Sequence, residues 1–181
     1  MKSKLSGAKV TPSQSQELLT FSHKALIFAK QMLGNLSDAE DLVQASVVKV
    51  LSHPSAPQGG VDLQKWLYRV VRNGAIDKLR ERSRYQTIAE TEVITDVSPE
   101  HKLENDQLKQ RLAAALQQLA PQHREIIVLR DYHQTSYTEI ADILAIAKGT
   151  VMSRLHRARL ALRQILIEQQ QIQEVHHETV S

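Results

Sequence analysis

Apolar residues recur at helical spacing in two runs over residues 136–166, separated by Ala145, Ile146 and Ala147. In the first run Tyr137, Ile140, Ala141 and Leu144 fall on one side. Ser136 and Glu139 stand three apart ahead of it, the spacing of a capping box in which each side chain bonds the other's amide. In the second run Val151, Leu155, Ala158, Leu162 and Ile165 form a stripe that must face a core. The pattern predicts a short helix, a turn plugged by Ile146 and a longer helix, which is a helix-turn-helix. At about 100° per residue, Ser153, His156, Arg157 and Gln164 then face away from the stripe, with Thr150 beside them.

The same reading organises the rest of the chain. Leu18, Ala25, Leu26, Ala29 and Leu33 predict a helix over 15–33, stopped by Gly34-Asn35. Ser37 with Glu40 reads as a second capping box, opening the helix that holds DAEDLVQASVVKVL. HPSAPQGG, residues 53–60, has two prolines and a glycine pair and reads as a loop. Asp62 is placed to cap a helix carrying Leu63, Leu67, Val70, Val71, Ile76 and Leu79, with Gly74 marking a close helix contact. The only tryptophan, Trp66, reads as core packing, with stacking on a base as the sharper alternative. Residues 85–107 lack an apolar period and are broken at Ser98-Pro99. Leu108, Leu112, Ala115, Leu116 and Leu119 predict a helix, and Pro121 opens another that buries Ile126, Ile127 and Leu129. The expected fold is all-α. Two small helical domains, 14–84 and 108–167, are joined by a linker over 85–107, and polar residues 1–13 are expected to fray.

Charge sharpens this picture. The formal net charge of +3 conceals segmentation. Residues 65–84 hold seven basic and two acidic side chains, and residues 86–106 hold six acidic and one basic, making the linker acidic. Lys148, Arg154, Arg157, Arg159 and Arg163 line the second helix of the helix-turn-helix with no acid among them. A solvated helix face ordinarily mixes signs for i,i+4 pairing. A face of one sign favours phosphates and base edges. Two basic modules flanking an acidic strip therefore point to nucleic acid at both ends and a different partner between them.

Composition removes other classes. Without cysteine there are neither disulfides nor thiolate metal sites. Lys2, Lys4 and Lys9 have no apolar stretch behind them, so no signal peptide is read. No apolar run approaches the ~20 residues of a membrane span. The expectation is a cytoplasmic protein without membrane insertion. No metal cluster, cofactor motif or base–nucleophile pair is present, so neither an enzyme nor a cofactor is expected; Asp38 and Glu40 are explained by the helix dipole they face.

Three stretches carry a family resemblance. DAEDLVQ (38–44), WLYRVVRNGAIDKLR (66–80) and LAPQHREIIVLRDYHQTSYTEIADILAIAKGTVMSRLHRARLALR (119–163) occur in that order. Together they resemble the bacterial RNA polymerase sigma factors of the extracytoplasmic-function type, sigma-70-like group IV. The match spans about 18–166. The resemblance implies a promoter-specificity subunit, monomeric when free, that binds core RNA polymerase and promoter DNA and is silenced by an anti-sigma factor. On that basis Asp38, Glu40, Asp41, Leu42 and Gln44 dock on polymerase. Lys65, Arg69, Arg72, Asn73, Lys78 and Arg80 hold the opened −10 strand. Ser153, His156 and Arg157 meet −35 base edges, and Lys148, Thr150 and Arg154 meet phosphates. Ala145 stands where the family often has glycine. The alternative is a stand-alone dimeric helix-turn-helix regulator, which needs neither the second basic helix nor the acidic linker.

Overall fold

The computed structural model describes residues 12–88 and 104–179. The expected fraying at the N-terminus and most of the acidic linker lie outside the described residues. Within them the chain is helical: α1 (Pro12–Leu33), α2 (Leu36–Ser52), α3 (Gly60–Ile88), α4 (Glu104–Gln118), α5 (Pro121–Ile127), a π-helical turn (Val128–Tyr132), α6 (Tyr137–Leu144) and α7 (Lys148–Thr179).

α1, α2 and α3 pack around Phe28, Met32, Leu67 and Val71. α1 stops at Gly34, whose φ of +80° a side chain would resist. Two helix starts differ from the sequence reading. α2 is capped by Asn35, whose Oδ1 accepts from the Asp38 amide at 2.8 Å. Ser37 lies inside the first turn, because Asn35 is the residue with extended backbone there. α3 begins at Gly60, so Asp62 is a first-turn acid paired with Lys65 at 3.3 Å, not the cap. Glu17 of α1 accepts from the Gly60 amide at 2.8 Å and ties the preceding loop down. Gly74 does mark a close approach: a Cβ there would lie 2.4 Å from Cδ1 of Leu42.

α4 to α7 enclose Ile126, Leu129, Ile140, Val151, Leu155 and Ala158. Pro121 occupies the first turn of α5. The capping box of α6 is present in both directions: Ser136 N donates to Glu139 at 3.0 Å and Glu139 N to Ser136 Oγ at 3.2 Å. Ala145 then turns the chain at φ 53°, ψ 48°. An alanine in the left-handed region carries a steric penalty of roughly 1 kcal/mol that glycine lacks. Ala145→Gly is therefore expected to raise the thermal unfolding midpoint, with a gain of up to about 1 kcal/mol. An unchanged or lower midpoint would mean that the glycine's extra freedom in the unfolded chain cancels the relief.

Leu108 and Leu112 share the apolar side of α4 with Ala115, Leu116 and Leu119 but not their burial. They are 61% and 41% exposed, because the first half of α4 runs past the core that Ala115, Leu116 and Leu119 enter. The two groups of helices share one continuous buried cluster. α3 lies against α6 and α5, and α1 against α4, α5 and the π-helical turn.

Candidate nucleic-acid interface

The basic residues of α3 divide between two faces. Lys65, Arg69 and Arg72 follow i, i+4, i+7 spacing and point at the C-terminal helices. Lys65 pairs with Asp142 at 3.0 Å and with Asp62 at 3.3 Å. Arg69 donates to the Asp142 carbonyl at 2.5 Å. Arg72 forms a fork on Glu125, with Nε to Oε2 at 2.7 Å and Nη2 to Oε1 at 3.1 Å. Its Nη1 donates to Asn73 at 3.1 Å. Arg80 is exposed beside Asp77 at 3.6 Å. Lys78 lies on the other face. It faces α2 and pairs with Asp38 at 3.2 Å, where Arg82 also binds. Asn35 Nδ2, donating to the Asp38 carboxylate at 2.8 Å, and then these two cations draw that carboxyl down to about 2.

Below the loop at residues 53–59, Trp66 is half-buried with its ring centroid 5.3 Å from that of His53. Pro57, Asp62, Lys65, Trp66, Arg69 and Asp142 line an open cleft of about 330 Å³ there. Trp66 thus combines partial packing with access to a cleft.

On α7, Ser153, His156, Arg157 and Lys148 are exposed, and Thr150 is partly so. Ser153 Oγ donates to the Thr150 carbonyl at 3.2 Å, and Arg157 Nε to the Ser153 carbonyl at 3.4 Å. Arg154 turns inward to Glu125 at 3.5 Å. Arg159 pairs with Asp131 across the same group of helices. On α2, Glu40, Asp41 and Gln44 are exposed, and the two acids form no ion pair with another described residue. Leu42 is buried against Gly74.

Several partners of these residues escape a sequence reading. Glu125 is fully buried, and Asp142 and Asp131 hold cations from distant helices. A signal existed for Glu125 and its neighbour Arg124. They stand four residues ahead of Leu129 and Val128, which places both acid and base in the buried register.

His133 completes the contact between the two groups of helices. Its Nδ1 lies 3.1 Å from the Tyr68 hydroxyl, and its ring lies 6.2 Å from Phe28. Burial, then the charge of Lys24, push the imidazole down to about 4. Burial also raises the Tyr68 phenol. An imidazole held neutral in the folded chain contributes its full stability above its ordinary value of 6.5, and that contribution is lost as pH falls from 6.5 towards 4. Allowing for solvent at this partly open site, the loss is on the order of 1–2 kcal/mol. Urea midpoints measured between pH 7 and 4.5 should fall accordingly, and His133→Gln should flatten the profile. A slope unaffected by that substitution would assign the titration to another group.

Family models described as "Sigma-70 region 2" and "Sigma-70, region 4" match residues 21–85 and 109–162. The chain is 34% identical over 174 residues to the ECF RNA polymerase sigma factor SigL of Mycobacterium tuberculosis, covering 91% of this chain and 96% of that relative. It is 34% identical over 160 residues to the ECF RNA polymerase sigma factor SigE of Mycolicibacterium smegmatis, covering 86% of this chain and 62% of SigE's length. Among solved structures, the sigma factor RpoE of Bartonella quintana, in complex with the anti-sigma factor NepR, matches with a TM-score of 0.70 at 29% identity. That match covers 86% of this chain and 98% of RpoE.

Proposed function

Because the chain belongs to the extracytoplasmic-function RNA polymerase sigma factors, we propose that it binds core RNA polymerase and directs promoter-specific transcription initiation. It acts in the cytoplasm, where it reads −35 and −10 elements and helps to open the −10 region, without catalysing a reaction of its own. The observation that carries this reading is the pairing of two basic helices, α3 and the outward face of α7, in one chain with an exposed acidic edge on α2. No helix among the described residues is long and apolar enough to cross a membrane. RpoE is solved with an anti-sigma factor, and we assign such a protein as a partner here.

The residue roles combine the family's motif positions with where each side chain stands. Residues 14–84 serve as the unit for polymerase and the −10 strand, and residues 108–167 as the −35 reader. Glu40, Asp41 and Gln44 form the docking edge. Leu42 and Asp38 set its position, one through Gly74 and the other through Lys78 and Arg82. Lys65, Arg69, Arg72, Asn73 and Arg80 take the −10 strand, with Lys78 positioning α3. Ser153, His156 and Arg157 read −35 base edges and Lys148 and Thr150 take phosphates, while Arg154, turned inward to Glu125, positions α7 rather than meeting a phosphate.

Run-off transcription with core polymerase and fragments of the source genome tests this. Start sites sharing −35 and −10 sequences are the expected result. No transcript, together with tight binding of the chain alone to a palindromic duplex, would hand the case to a dimeric regulator. Within the same assay, Arg157→Ala should cost about 1–3 kcal/mol in binding the −35 duplex and relax specificity at one position. An unchanged promoter profile would remove Arg157 from the base-reading set.

A further inference from the structure

Near the start of α7 a large apolar side chain is left in solvent. Met152 is 56% exposed and belongs neither to the buried cluster nor to the partly buried side chains packed against it. Leaving a methionine in water forgoes the stabilisation that its burial would bring. At about 100° per residue, Met152 lies about 40° round the helix from Lys148, one turn before it, and about 40° from His156, one turn after it. Lys148, Ser153 and His156 are all exposed, so Met152 belongs to the same outward surface.

This end of the helix also leaves room for another molecule. Gly149 is exposed there, and a Cβ added to it would meet no atom within 4 Å. Glycine is unfavourable in a helix relative to alanine, and packing within the chain does not require it at this position. What it provides is bare backbone on the surface that faces outward beside Met152.

On the roles given to Ser153, His156 and Arg157, the surface opposite Met152 is the major groove. Most of the groups that distinguish base pairs there are hydrogen-bond donors and acceptors, for which a thioether is a weak partner. The C5 methyl of thymine is the apolar group that the groove presents. It projects from the base edge towards the phosphate wall of its own strand. A side chain between a phosphate contact, Lys148, and a base contact, His156, reaches that zone. Methionine suits it, because an unbranched thioether adjusts to the position of a methyl group without a fixed shape of its own.

Resting on the promoter-specificity reading, we propose that Met152 is a specificity-determining residue of the −35 reader, packing its exposed side chain against the C5 methyl of one thymine. At that position the chain selects thymine over cytosine by apolar contact, beside the hydrogen-bond readout of Ser153, His156 and Arg157.

Replacing thymine by deoxyuridine removes the methyl and leaves base pairing intact, so the contact can be read one position at a time. Promoter duplexes carrying the −35 element found by run-off transcription, with each thymine of either strand replaced in turn, would compete for holoenzyme formed from this chain and core polymerase. Deoxyuridine at one position should weaken binding about three- to five-fold, the range for burying one methyl group. Met152→Ala should bring that ratio to about one and leave the ratios at other positions as they were. Met152→Leu should keep most of it. Leu160→Ala removes another exposed apolar side chain, two turns further along α7, and should leave the ratio intact. Since Met152 is exposed, its variants should match the unsubstituted chain in helicity and unfolding midpoint. A −35 element without thymine, equal binding of thymine and deoxyuridine duplexes at every position, or a ratio that survives Met152→Ala would overturn the proposal. A holoenzyme with no −35 preference at all would instead remove the promoter reading, and the proposal with it.

Discussion

Arg124→Ala is expected to lower the folding free energy by about 3–5 kcal/mol. The side chain is 4% exposed and donates to the carbonyls of Met32, Gln117 and Leu119 and to Oε1 of Gln117. Met32 lies in the last turn of α1, Gln117 in the last turn of α4, and Leu119 just past its end. One guanidinium therefore satisfies orphan carbonyls on two helices and meets the negative ends of both dipoles. Burial, then the nearby Arg82, lower its pKa to about 10, which leaves it charged at neutral pH. Arg124→Lys keeps the charge but offers a single head that cannot span these acceptors, so it should recover less than half of the loss. Urea unfolding monitored by circular dichroism measures both. A loss below about 1 kcal/mol for the alanine variant would mean that water or Arg82 takes over the carbonyls.

The largest functional effect is expected from Asp41→Arg, which should abolish co-purification with core polymerase. Asp41 is exposed on α2 and has no ion pair with a described residue, so reversal of its charge should leave stability within about 0.5 kcal/mol. An arginine there would set a like charge, or an unpaired one, against whatever basic surface Glu40 and Asp41 meet. Normal co-purification would move docking to the exposed apolar edge of the same helix, at Val48 and Leu51.

The helix-turn-helix was legible because its determinants are local. The Ser136–Glu139 box, the apolar spacing and the Ile146 plug all lie within a few residues of what they shape. The start of α2 misled because Asn35, read as part of the stop of the preceding helix, also caps the next one, two residues before Ser37. Backbone conformation, rather than residue preference, decides between them. The exposure of Leu108 and Leu112 was not legible for a different reason: periodicity gives the apolar side of a helix but not how far along its length a partner extends. On α3, a count of cations could not separate Lys78 from Arg72. Only the helical angle, and the positions of Asp38 and Glu125, do so. The union of the two helix groups left no periodic trace, since Arg72 and Glu125 are 53 residues apart.

The crossing of α2 and α3 carries an evolutionary consequence. At Gly74 a single added carbon would collide with Leu42, so this junction has no side-chain padding to vary. On the roles proposed above, α2 grips the enzyme and α3 grips the strand. The separation between those grips is then a fixed gauge, closed to tuning by residue size at that point. Descendants of this chain that acquire new promoters should do so through outward positions such as Asn73, Arg80 and His156, while position 74 stays the smallest residue available.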